Sequence, residues 1–132
     1  MALGTGGLFT GSADAAMVMR QAGTAATATR ACSTYAVYIA RKDNTHYGIS
    51  GTVDGRSCPH PYNWEISCRP IHRHSFNWHT HGIVVSVGKY GRYVSGKSGW
   101  IKGTNGDHYK ATCRFYYNNY YQGSKTSRTI EL

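Results

Sequence analysis

The densest run of side chains able to do chemistry is His72-Arg-His74-Ser-Phe-Asn-Trp-His79-Thr-His81, which holds two His-x-His pairs. In an extended chain, residues two apart project to the same side, so each pair places both imidazoles together. With a turn between the pairs, they could converge on Zn²⁺ or Cu²⁺. In one continuous strand, His72 and His74 share a face with Phe76 and Trp78, while His79 and His81 point the other way. No carboxylate is close in sequence to complete a site. The expectation is therefore surface or interface histidines, with no metal and no cofactor, that change charge at about pH 6 where exposed.

Other chemistry is weaker. Gly91-Arg-Tyr-Val-Ser-Gly96-Lys97-Ser98 satisfies the Gly-x4-Gly-Lys-Ser pattern of a phosphate-binding loop. That pattern works only when a helix N-terminus follows, because the helix amides and dipole hold the phosphate. Gly99-Trp-Ile-Lys-Gly-Thr-Asn-Gly cannot make that helix, so the match reads as a coincidence. Asp43, Asp54, Glu65, Asp107 and Glu131 are too widely spread to suggest a paired-carboxylate hydrolase, and no Gly-x-Ser-x-Gly elbow is present. The sequence reads as a non-enzyme.

Four cysteines, Cys32, Cys58, Cys68 and Cys113, lack the spacing of paired zinc knuckles and read as disulfides. Of three pairings, Cys58–Cys68 as a local staple and Cys32–Cys113 as a tie between the first and last strands are favoured. Both imply an oxidising compartment. Fifteen basic against six acidic residues give a net charge of +9, so the surface seeks anions: nucleic acid, anionic lipid, wall polymer or an acidic protein. Basic residues interleaved with Tyr and Trp could stack on bases, but disulfides and an export signal argue against nucleic acid.

The elements that must position these residues read as strands. A chain of 132 residues with 16 Gly, 11 Tyr and 40 % hydrophobic residues fits one modest β-rich domain. Thr34 to Ala40 alternates as a strand apolar on both faces, Asp43-Asn44 makes a turn, and His46 to Val53 returns as the second strand of a hairpin. Cys58 to Cys68 reads as a loop, since Pro59 and Pro61 exclude a central strand. Gly82 to Val87 reads as a core strand with Ile83, Val85 and Val87 inward. Gly88 to Gly99 is a Gly- and Lys-rich connection. Trp100 to Asn118 reads as two extended segments joined at Asn105-Gly106, a dipeptide that tolerates the positive φ of a tight turn. After it, Tyr109, Ala111, Cys113, Phe115 and Tyr117 fall on one face, and Lys110, Thr112, Arg114 and Tyr116 on the other.

Before this body, residues 1–15 read as the back half of a secretory signal peptide, with Ala13-Asp14-Ala15 as a small-x-small cleavage pattern but no basic n-region. A late start codon and an ordinary flexible N-terminus both explain that. Residues 16–31 form an Ala/Thr-rich arm carrying Met17, Val18, Met19 and Arg20. The arm is either a disordered leader or a segment that docks on a partner through its adaptable methionines. The body is assigned to residues 32–123, and 124–132 to a polar tail. No segment is long enough to span a membrane.

Trp100, Lys102, Thr104, the following Gly106 and Phe115-Tyr116-Tyr117-Asn118 resemble the C-terminal signature of the lactococcin 972 family. His81-Gly82, Val84-Val85 and Gly91-Arg92 sit in the same order upstream, and Tyr47-Gly48-Ile49-Ser50-Gly51 is similar to that domain's Tyr-Gly-x-Ser-Gly opening. The resemblance spans Tyr47 to Asn118. The chain departs from the pattern in the segment holding Cys58 and Cys68 and in its long N-terminal arm.

The resemblance implies a small, secreted, antiparallel β-sandwich with antibacterial activity, here disulfide-stapled and carrying the extended N-terminal arm. Two roles follow from it. In one, the chain is an adaptor in a secreted toxin assembly, similar to the small bridging subunits of streptomycete umbrella toxin particles. Its arm would then insert into a lectin-like subunit while the sandwich grips the toxin scaffold. In the other, it is a stand-alone bacteriocin. Lys89, Arg92, Lys97 and Lys102 would then engage an anionic, diphosphate- or carboxylate-bearing envelope precursor.

Overall fold

A computed structural model describes residues 32–132. These residues are almost wholly β and antiparallel, folded as two sheets that face each other in a curled half-barrel. The smaller sheet contains β1 (Thr34–Arg41), β2 (His46–Asp54), β6 (Tyr93–Lys97) and β7 (Ile101–Lys102), with β2 paired to all three others. The larger holds β3 (Tyr62–His74), β4 (Asn77–Thr80), β5 (Val85–Gly91), β8 (His108–Tyr117), β9 (Tyr120–Thr126) and β10 (Ile130–Glu131). β3 and β8 pair over ten positions at its centre.

Period-two patterning sets both inner faces. Tyr47, Ile49 and Val53 of β2 meet Trp64, Ile66 and Cys68 of β3 and Tyr109, Ala111, Cys113 and Phe115 of β8, and all are buried. Tyr62, Trp64 and Tyr117 form an aromatic cluster at one end, with T-shaped rings 5.9 Å (Tyr62–Trp64) and 4.8 Å (Tyr62–Tyr117) apart. Tyr47 and Tyr109 pack as tilted rings with centroids 4.5 Å apart at the other end. Both faces of β8 fall as its alternation predicts, and β1 keeps only Ile39 fully buried.

The disulfides are Cys32–Cys58 and Cys68–Cys113, not the favoured Cys58–Cys68 and Cys32–Cys113. Cys68 and Cys113 are directly opposite in the β3–β8 ladder, with Cα atoms 4.0 Å apart. The strand already under way at Tyr62 carries Cys68 away from the loop that holds Cys58. By loop-closure arithmetic the bridges, closing 45 and 26 residues, contribute about 4 and about 3.5 kcal/mol. The small sheet lies close over the Cys68–Cys113 bridge: a Cβ placed on Gly51 would stand 2.9 Å from both sulfurs, so only glycine fits there.

Other expectations are also revised. The Cys58–Cys68 stretch is a loop only to Pro61. From Tyr62 it is the start of the central strand β3, because both prolines precede the ladder and Pro70 sits inside it without interrupting the β8 register. Gly82 to Val84 is not strand: Ile83 and Val84 are 51 % and 43 % exposed, and the inward run begins at Val85. Asn105-Gly106 does make a turn, with Gly106 at φ 91° and the Asp107 amide donating to the Thr104 carbonyl at 3.1 Å. It does not close a hairpin, however. β7 pairs with β2 and β8 with β3, so the turn carries the chain from one sheet to the other. The proposed polar tail at 124–132 is part of the body: β9 runs to Thr126, β10 pairs with β8, and Ile130 and Leu132 are buried. Residues 1–15 and the 16–31 arm lie outside the described residues.

Candidate functional site

Alternation on the two central strands builds a basic outer face on the larger sheet. Ser67, Arg69, Ile71 and Arg73 of β3 stand opposite Arg114, Thr112, Lys110 and His108 of β8. Each of these four successive outward pairs carries one Lys or Arg. Neighbouring pairs on one face are about 6.8 Å apart along a strand, so the cations form a zigzag row about 20 Å long. Trp78 on β4 lies opposite Arg73 and is flanked by the Lys110 ammonium at 4.1 Å and the Arg73 guanidinium at 5.2 Å. The Arg73 Nε is enclosed without an acceptor.

No acid forms an ion pair with this row among the described residues, Glu65 standing on the same outer face one pair beyond Ser67–Arg114. Asp54 accepts from Arg56 at 2.7 Å, which holds its carboxyl at about 2. The Thr45 amide and the neighbouring His46 hold Asp43 at about 2. Asp107 is taken by His72 and His74, and Glu131 lies 3.7 Å from His108. Among the described residues, no carboxylate pairs with Arg69, Arg73, Lys110 or Arg114. Sequence patterning placed Lys110, Thr112 and Arg114 outward but missed the row, because Arg69 and Arg73 had no strand to share a face on until β3 was known.

The residues singled out earlier are dispersed. Lys97 and Lys102 lie opposite Ser50 and His46 of β2, on the outer face of the smaller sheet, and both are exposed. Lys89 sits on β5 beside an open depression of ≈ 630 Å³ bordered by Asn63, Glu65, Tyr90 and Asn119. Arg92 donates to the Cys58 and Pro59 carbonyls and so ties the β5–β6 bend to the Cys58 loop. The phosphate-loop pattern at Gly91–Ser98 is mostly the strand β6. Met17, Val18, Met19 and Arg20 lie outside the described residues.

A second cluster gathers where β3 and β4 turn. Ser75 at φ 73° closes a two-residue turn between the paired His74 and Asn77, so the two His-x-His pairs sit on opposite arms of a hairpin. His72 faces His79 in register, and its ring stacks on Tyr109 at 4.9 Å. Asp107, distant in sequence, reaches the cluster. It accepts from His72 Nε2 at 2.6 Å and His74 Nδ1 at 2.8 Å, and these bonds hold its carboxyl below the usual carboxylate range.

Among the described residues no helix is long and apolar enough to cross a membrane. The two disulfides are compatible with an extracellular setting. No protein-family model, curated protein or solved structure matches this chain.

Proposed function

We propose that this is a secreted, non-enzymatic adaptor of an antibacterial toxin assembly. The outer face of its larger sheet grips an acidic scaffold partner, and its N-terminal arm, through Met17, Val18, Met19 and Arg20, engages a second, lectin-like subunit. The observation that carries the first contact is the row Arg69, Arg73, Lys110 and Arg114, four cations without carboxylate partners among the described residues. Such a row steers an acidic surface into register and makes its association fall with salt. A bridge requires two attachment surfaces, and the arm and the sheet face are proposed as those two. The resemblance to the lactococcin 972 family supports an extracellular antibacterial setting.

The regular spacing of the same cations also favours a second reading. A stand-alone bacteriocin could lay a phosphate-bearing envelope precursor along the row. One experiment separates the two: isolate the protein from its native culture medium with an antibody and identify stoichiometric companions by mass spectrometry. Two secreted companions are expected, with Lys110→Glu/Arg114→Glu losing one and deletion of residues 16–30 losing the other. Retention of both companions by both variants sinks the adaptor reading. A protein that emerges alone and inhibits related bacteria establishes the bacteriocin.

A further inference from the structure

The hairpin turn at Ser75 brings together the imidazoles that the sequence divides. His72 Nδ1 and His81 Nε2 face each other at 3.4 Å. That is long for a hydrogen bond between ring nitrogens. It is also the separation of two imidazole donors on one tetrahedral Zn²⁺, since bonds of about 2.0–2.1 Å set the nitrogens about 3.3–3.4 Å apart.

The far side of His72 is arranged to match. The Asp107 carboxylate accepts a hydrogen bond from His72 Nε2–H at 2.6 Å. In the neutral ring this leaves the Nδ1 lone pair turned toward His81. A carboxylate holding one ring nitrogen while the other faces a cation is the usual support of a metal-binding histidine. Stacking on Tyr109 fixes the ring plane, so the donor direction is set before any ion arrives. His79, opposite His72 in the β3–β4 register with ring centroids 6.3 Å apart, supplies a third imidazole beside the pair.

We propose that His72, His79 and His81 bind a divalent transition-metal ion of the imidazole-preferring class, Zn²⁺ being the representative, with Asp107 orienting His72. Among the described residues no three side chains already share one coordination sphere. Two donors are in place, and His79, which is exposed, completes the set by turning about its side-chain torsions. Three protein donors leave a fourth position open to solvent. The ion would lock the short strand β4 onto β3 and hold in place a hairpin whose tip carries Phe76, 91 % exposed.

The test is titration of the metal-stripped full chain with ZnCl₂ against a fluorescent chelator, followed by urea unfolding with and without Zn²⁺. One equivalent should bind, and the unfolding midpoint should rise with the ion. His79→Ala and His81→Ala, both exposed positions that should keep the native circular dichroism, should each weaken binding more than 10-fold and abolish the midpoint shift. His60→Ala, outside the cluster, should change neither. Absence of binding, or equal affinity in wild type, His79→Ala and His81→Ala, overturns the site.

Discussion

Single atoms decide how closely the two sheets approach. With both sulfurs of Cys68–Cys113 2.9 Å from where a Gly51 Cβ would stand, and the bridge anchored in two central strands, neither side can yield. Gly51→Ala should therefore destabilise the protein by about 1–3 kcal/mol, the usual cost of overpacking, read as a lower urea midpoint. Asp107 makes a pH-dependent contribution. Its carboxyl is bonded by His74 and His72 in the native state, and its native pKa lies below the unfolded value near 3.8. The unfolded chain therefore takes up that proton first on acidification. The contribution is complete above the unfolded value and is lost as pH falls through the native one. Asp107→Asn should flatten the fall in stability below about pH 4, measured as thermal midpoint against pH. Gly51 could be singled out in the sequence, as part of Tyr47-Gly48-Ile49-Ser50-Gly51. The histidine partners of Asp107 could not, because 35 and 33 residues separate it from them.

Among the elements, β8 was the most readable. Its alternation is unbroken, and every inward position from Tyr109 to Tyr117 is buried. β2 was similarly plain. β3 was hidden by its prolines and by its histidine-bearing end at His72 to His74, where patterning alone could not choose between a continuous strand and a hairpin. Turn chemistry explains why. The β3–β4 turn uses Ser75 at φ 73°, and the β8–β9 turn uses Asn118 and Asn119 at φ 46° and 70°. Neither carries the glycine that usually announces a hairpin, although asparagine tolerates the left-handed region better than most residues. At the last strands, Ile130 and Leu132 look like isolated apolar residues in a polar stretch, yet both are buried against the body. Deleting residues 130–132 should cost about 3–6 kcal/mol, from two buried aliphatic side chains at about 1.5–3 kcal/mol each, and should lower the thermal midpoint measurably. A freely dangling tail would leave it unchanged.

For the whole molecule, the net charge of +9 indicated an anionic partner without saying where it would sit. The cations singled out by local composition, Lys89, Arg92, Lys97 and Lys102, scatter over different surfaces or are spent on backbone carbonyls. Those that do line up belong to strands whose pairing joins segments about 40 residues apart. Residue order alone was enough for the β class, the inner face of β8, the turn at Asn105-Gly106 and the strongly basic balance. Each depends on neighbours within a few positions or on a simple sum. The disulfide pairing, the cationic row and the meeting of Asp107 with the histidines emerge only from the folded chain. Those depend on which strands become neighbours and in what register, and register is set by burying the inner faces of both sheets together.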